Sequence, residues 1–247
     1  MSGCDHPGLL PMEAALERLL ALAEATPVEQ VEQVVLAEAD GRVLAEPLIA
    51  ALDLPPWANS AMDGYALRLA DWSGQALPIS QRIQAGAAPT PLQPGTCARI
   101  FTGAPLPEGA DTVEMQENVE LDDAGRVHFR EPLKVGQNVR AQGQETRIGE
   151  CVLPVGTRLG PIELGLAASL GAARLAVRRR LRVAVLSTGD ELVEPGQALG
   201  PGQIYNSNRV LLCSWLQRLG CEVIDAGILP DNLATTRARL GELQDVD

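Results

Sequence analysis

A chain of 247 residues with 46% hydrophobic and 21% charged side chains carries ample core material, which excludes a disordered chain, and it exceeds the usual size of one domain. A formal net charge of −12 excludes the broad basic surface that non-specific nucleic-acid binding needs. Such a protein holds an anionic small molecule only through a local site of backbone N–H groups, a few Arg or Lys, or a bound cation.

The N-terminal stretch MSGCDHPGLLPMEAALERLL carries acids and no basic segment leading into an apolar one, so it does not read as a secretory leader. Pro11 to Ala25 places Leu16, Leu19, Leu20 and Ala23 on one face and Glu13, Glu17 and Arg18 off it, which predicts an amphipathic helix. The β-branched run Val31 to Leu36 leads into Ala39 to Ala45, where strand and short-helix readings compete. From about Ala50 to about Pro154 the texture becomes short apolar runs broken by Pro and Gly: Leu77–Ile79, Ala98–Phe101, Thr112–Met115 and Arg126–Phe129. A small β-barrel-like domain over 50–146 is expected. Pro94–Ile100 and Val135–Arg140 share a turn-then-strand design, without a fixed period that would make a repeat protein.

Residues Leu159 to Leu170 look helical again. If the chain returns there to the first helix, the β-domain is an insertion in an elongated N-terminal helical/β domain built from 8–49 and 147–178. Arg178-Arg179-Arg180 then reads as a solvated exit linker. Leu181 to Leu186 is a buried-strand run ending in the polar loop Ser187–Leu192. Tyr205 to Leu219 is a predicted helix, capped among Asn206, Ser207 and Asn208 and stopped at Gly220. A strand at Cys221–Ile224, a helix at Thr235–Leu243 and a third strand starting at Asp245 complete a parallel α/β pattern over 179–247, with ligands expected at the carboxyl ends of its strands. Two strands leave such a sheet unfinished, so this unit reads as the first half of a parallel α/β domain, and the chain as a fragment or one completed by something else. The fold class is therefore multidomain, α+β followed by α/β. Five widely spaced cysteines, Cys4, Cys97, Cys151, Cys213 and Cys221, form no Cys-x-x-Cys pair and read as reduced thiols, which puts the chain in the cytoplasm. Leu159–Val177, the most apolar long stretch, is broken by Gly, Pro and Arg174, so no membrane span is expected.

Four segments carry chemistry. Asn59–Ala66 (NSAMDGYA) follows Asp53-Leu54-Pro55-Pro56; its Asp-Gly step taken alone is turn chemistry. Phe101–Asp111 contains TGAPLPEGAD, by itself a Pro/Gly-stiffened loop. Ser187–Leu192 is STGDEL at a strand end, and Gly202–Asn208 (GQIYNSN) leads into the next helix. In this order across nearly the whole chain, they resemble the D-x-P-x-x-x-N-S-A-M-D-G-Y-A, T-G-A-P-x-P-x-G-x-D, S-T-G-D-E-L and G-x-I-x-x-x-N motifs of the molybdenum-insertion family, the MoeA/gephyrin E-domain family.

The resemblance implies an enzyme that joins molybdate to adenylated molybdopterin and releases AMP. It also implies Mg²⁺, a homodimer with an active site between subunits, and a molybdopterin adenylyltransferase as a further partner; neither nucleic acid nor membrane is implied. Carried residue by residue, it marks Asp63, Thr102, Glu145 and Glu191 as catalytic, Ser60, Ser187, Thr188, Gly189 and Asn208 as cofactor-binding, and Asp63, Asp190 and Glu191 as metal ligands. Mg²⁺ suits carboxylate oxygens that leave room for water and substrate phosphate. One departure stands out: Gly143-Gln144-Glu145 replaces the family's G-E-D, so any acid function there sits on a longer arm. Two other readings compete, a non-catalytic dimerising scaffold and a molybdopterin adenylyltransferase-like activity.

Overall fold

The structure, a computed structural model, describes residues 10–130 and 132–247. In chain order its elements are α1 (Met12–Ala25), β1 (Val31–Val35), β2 (Leu48–Ile49), β3 (Asn59–Ser60), β4 (Gly64–Leu67), β5 (Ile79–Ile83), β6 (Cys97–Ile100), β7 (Thr112–Met115), β8 (Val119–Leu121), β9 (Val127–Phe129), β10 (Val139–Arg140) and β11 (Cys151–Leu153). Then come α2 (Pro161–Ser169), β12 (Arg174–Arg178), β13 (Arg182–Thr188), β14 (Leu192–Val193), β15 (Ile204–Tyr205), α3 (Ser207–Arg218), β16 (Glu222–Leu229) and α4 (Leu233–Glu242). The predicted helices at 11–25, 159–170, 205–219 and 235–243 each have a counterpart here.

The chain divides into two compact units. One comprises Pro47–Pro154 and Leu166–Ala172; the other comprises Met1–Glu46, Val155–Gly165 and Ala173–Asp247. Residues 8 and 9 of the expected first segment, and Cys4, lie outside the described residues. The remaining cysteines, Cys97, Cys151, Cys213 and Cys221, are free thiols.

The first of these units is built on a four-stranded sheet of order β5-β6-β4-β7, in which β5 and β6 run parallel and the other pairs antiparallel. Alternation along each short strand gives it two apolar faces. Tyr65, Leu67 and Cys97 pack with Leu77, Val127 and Phe129 on one side; Ala66, Ile83, Ala98, Ile100 and Val113 pack on the other. The expected barrel does not close, and the physical reason lies at both sheet edges. The outer edge of β7 is taken by a loop, with the Val113 N–H donating to Gln137 C=O (3.0 Å) and the Asn138 amide donating to Val113 C=O (3.0 Å). Beyond β5, the Gln81 side chain is bound to the Thr90 backbone in place of another strand.

In the other unit, β1 pairs antiparallel with β12, Leu36–Glu38 is a single 3₁₀ turn, and the contested Ala39–Ala45 is neither helix nor full strand but a turn followed by isolated bridges of Val43 to Arg158 and Leu44 to Val177. β13 and β16 pair in parallel with α3 between them, as the strand-helix-strand pattern requires. β16 runs five residues beyond the predicted Ile224, past an irregularity in its register with Val185–Ser187. Residues 245–247 form no strand: the Asp247 N–H donates to Arg182 C=O at 3.0 Å, and the Asp247 carboxylate accepts the Arg182 N–H and pairs with Arg179, both at 2.8 Å. No helix among the described residues is long and apolar enough to cross a membrane.

Candidate functional site

The Asn59–Ala66 segment is pinned from both sides. Ser60 in β3 pairs with Val139 of β10, and its backbone exchanges bonds with Gly103 and Ala104 of the TGAP loop at 2.8 and 3.0 Å. The buried Ser60 hydroxyl turns back to Met62, donating to its C=O at 2.6 Å, so it shapes the loop rather than facing a ligand. Asp63 follows at the mouth of β4. Its Oδ1 accepts both the backbone N–H and the hydroxyl of Thr102 at 2.8 Å, across a sequence gap of 39 residues. These two bonds, the backbone one first, hold the Asp63 carboxyl below its usual range, with the charge of Arg99 adding to them.

Asp-Gly here is not the turn that its composition predicts. Gly64 lies in β4, where a Cβ would stand 2.0 Å from the Glu114 carbonyl oxygen, so the glycine is required by the close approach of β7. Arg99, which sequence reasoning missed, binds this arrangement together. Its Nη1 donates to the carbonyls of Gly64 (2.8 Å) and Ile100 (3.1 Å), Nη2 bonds the Gln116 side chain, and its guanidinium stacks on Phe101 and Tyr65 at 4.5 and 5.1 Å. Cross-strand register puts it there, and no sequence motif displays register.

Glu145 is exposed, and its backbone N–H donates to Leu54 C=O at 2.8 Å. The acid that organises this segment is Asp53, which accepts from Gln142 Nε2 (2.8 Å) and from the Ile148 N–H (2.9 Å). No hydrogen bond ties the Glu145 carboxylate to Asp63 or Thr102 among the described residues.

Ser187, Thr188, Gly189, Asp190 and Glu191 lie in the other unit, at the carboxyl end of β13. Gly189 bonds Leu229 C=O at 3.2 Å and adopts φ +150°; the Glu191 carboxylate folds onto it, where a Cβ would meet Oε2 at 2.6 Å. Asp190 Oδ1 accepts the Asp231 N–H at 3.2 Å. The helix cap is Asn206: its Oδ1 accepts the Arg209 N–H, and its buried Nδ2 has no partner. Asn208 is exposed in the first turn of α3. The expected metal set of Asp63, Asp190 and Glu191 thus draws on two units, and among the described residues no three His, Cys, Asp or Glu cluster as metal ligands. Asp190 and Glu191 alone do fit the chemistry of Mg²⁺, which needs only one or two carboxylates when water and substrate phosphate complete its shell.

Residues 10–171 match the family described as MoeA N-terminal region (domain I and II), and residues 184–247 match the one described as Probable molybdopterin binding domain. The chain belongs to the MoeA family. It is 47% identical over 209 residues to the molybdopterin molybdenumtransferase of Haemophilus influenzae, covering 83% of this chain and 51% of that protein. The corresponding figures for the Synechococcus elongatus protein of the same name are 40% over 233 residues, 91% and 57%. The crystal structure of the molybdopterin biosynthesis MoeA protein of Pyrococcus horikoshii superposes with a TM-score of 0.85 at 31% identity, covering 96% of this chain and 64% of that one. The chain spans about half the length of the curated relatives it matches. Asp63 and Thr102 fall in the first matched region, and Ser187 to Glu191 in the second.

Proposed function

We propose that this chain serves in molybdenum cofactor biosynthesis, in the insertion of molybdate into adenylated molybdopterin with release of AMP. The observation that carries this reading beyond the family match is the Asp63–Thr102 pair. A carboxylate that spends Oδ1 on two donors stays ionised at neutral pH and keeps Oδ2 for a substrate hydrogen bond or a cation's water. Asp63 is accordingly an anchoring anion rather than a general base, which would need a raised pKa. Ser187 and Thr188, at the carboxyl end of a parallel strand, lie where such sheets bind ligands, and the adjacent Asp190 and Glu191 are the residues that would hold Mg²⁺. When bound, the ion supplies positive charge for the phosphoryl and molybdate oxygens that this net-acidic chain otherwise repels. A homodimer belongs to the same reading: α1 buries none of its residues, and Leu16, Leu19 and Leu20 stand exposed for a second copy to cover. We place it in the cytoplasm, consistent with its free thiols.

The test is complementation. The 247-residue chain alone is expected to give no rescue of molybdoenzyme activity in a strain lacking its own molybdenumtransferase, whereas a full-length protein carrying this segment is expected to rescue it, and Asp63→Asn in that protein, which changes charge but almost no volume, is expected to abolish the rescue. Rescue by the variant at the wild-type level would remove Asp63 from the site.

A further inference from the structure

Register across the four-stranded sheet lines up Arg82 in β5, Arg99 in β6, Tyr65 in β4 and Glu114 in β7 as consecutive cross-strand neighbours on one face. Phe101, two residues beyond Arg99, shares that face, and its ring receives both guanidiniums: Arg82 at 4.7 Å and Arg99 at 4.5 Å from its centroid. Like charges side by side in a ladder repel, and the usual remedy is a carboxylate between them. In this row no carboxylate separates them, and Asp63 feels the charge of Arg99 without forming an ion pair with it. Among the described residues neither arginine makes an ion pair. Glu114, at the far end of the row, spends its carboxylate on Gln137, Asn118 and the Met115 N–H. Asp63 spends Oδ1 on Thr102.

The two arginines divide the work. Arg99 is immobilised by the Gly64 and Ile100 carbonyls and by Gln116. Arg82 is exposed, and among the described residues its guanidinium makes no hydrogen bond, so all five donors are open while the Phe101 ring fixes its plane. A planar fork held in advance matches a phosphate-like oxyanion and loses little freedom on binding one. We propose that Arg82 and Arg99, stacked on Phe101, form a binding site for a tetrahedral oxyanion: inorganic phosphate, the phosphoryl group of a nucleotide, or molybdate. The anion removes the repulsion between the two cations, and the site supplies the local positive charge that a chain of net charge −12 needs to hold such a ligand. It is read on the free protein and does not depend on the reaction proposed above.

The test follows the side-chain Nε–H resonances of Arg82 and Arg99 in the full ¹⁵N-labelled chain during separate titrations with inorganic phosphate, AMP and molybdate, with calorimetry in parallel. Both resonances are expected to shift along one saturable curve. Arg82→Ala is expected to weaken binding about tenfold, the loss of one charge-assisted contact. Arg82→Lys, which lacks the planar fork, should recover only part of that loss. Phe101→Leu keeps both charges, removes the ring and should weaken binding a few-fold. Tighter binding of AMP identifies a nucleotide phosphoryl group as the ligand, tighter binding of molybdate identifies the metal oxyanion, and equal affinities identify a general oxyanion site. Unshifted arginine resonances with all three at millimolar concentration overturn the proposal. Equal affinities in the wild type and in an Arg82→Ala variant with a native amide spectrum overturn it as well.

Discussion

The sheet that carries Asp63 and the sheet that carries Asp190 and Glu191 are held in different ways. In the first, Ile83, Ile100, Val113 and Cys97 are at most 1% exposed, and both faces are filled. In the second, the β13 and β16 side chains are mostly half-buried, and a hollow of about 310 Å³ lies between Val183–Leu186 and Leu212, Trp215, Leu216 and Leu219. Beside that hollow a polar cluster adds to the packing: Arg209 forks onto Asp225 at 2.7 and 2.8 Å and bonds Glu194. Exposed ion pairs contribute roughly 0–1 kcal/mol each, whereas each fully buried aliphatic side chain contributes about 1.5–3 kcal/mol. A carboxylate positioned by a packed sheet is therefore better fixed than the acids of the Asp190–Glu191 loop, to whose carboxylates, among the described residues, a single N–H, that of Asp231, donates.

The largest expected effect that sharpens this contrast is on stability. Ile100→Ala should cost about 2–5 kcal/mol by leaving a cavity in a filled core, and Leu186→Ala, half-buried beside the hollow, roughly 1 kcal/mol. Urea unfolding followed by amide resonances in each sheet measures both, and equal costs would erase the distinction between the two regions.

A smaller effect concerns the charge at Asp63. Thr102→Val removes the hydroxyl bond and leaves the backbone N–H, so the Asp63 pKa should rise part of the way back toward its usual 3.8, as read by carbon-detected titration. The sign is fixed by linkage. A carboxyl depressed in the folded state adds stability that is fully present above its unfolded pKa of about 3.8 and is lost as pH falls through the lower folded value, so the wild type should retain this contribution to lower pH than the variant. The smallest is a difference in reactivity. Burial pushes the Cys97 thiol up to about 12, so at neutral pH it should react with an alkylating agent at least roughly tenfold more slowly than the exposed Cys151; similar rates would show the packed sheet opening readily.

Much of this was legible in the linear chain. Helices α1 to α4 announce themselves through apolar spacing and stop signals, the strand-turn-helix rhythm after Leu181 through its change of period, and the family through four motifs in order. The limits of that legibility are equally physical. Glu145 is the acid in the expected position, yet Asp53 is the one that ties the segment together, because hydrogen bonding follows spatial approach rather than motif position. The cap expected among Asn206, Ser207 and Asn208 is Asn206, and only the structure selects it, since only the residue just before the first helical turn can accept its free N–H groups. Gly64 reads as a turn residue and proves to be a spacer against β7.

Local pattern is set by dihedral preference and side-chain period, quantities that depend on a few neighbours, and for that reason the sequence by itself determined the four helices and the strand-helix-strand order, while the family and the candidates Asp63 and Thr102 came from the resemblance of its four motifs. Which residues meet across the sheet depends on register, and shifting a strand by one residue reverses every side chain on it. Tertiary structure alone therefore decided that Thr102 closes on Asp63, that Arg99 braces them, that Arg82 stands beside Arg99 with no ion pair among the described residues, and that loops rather than strands finish the sheet edges and keep the barrel open.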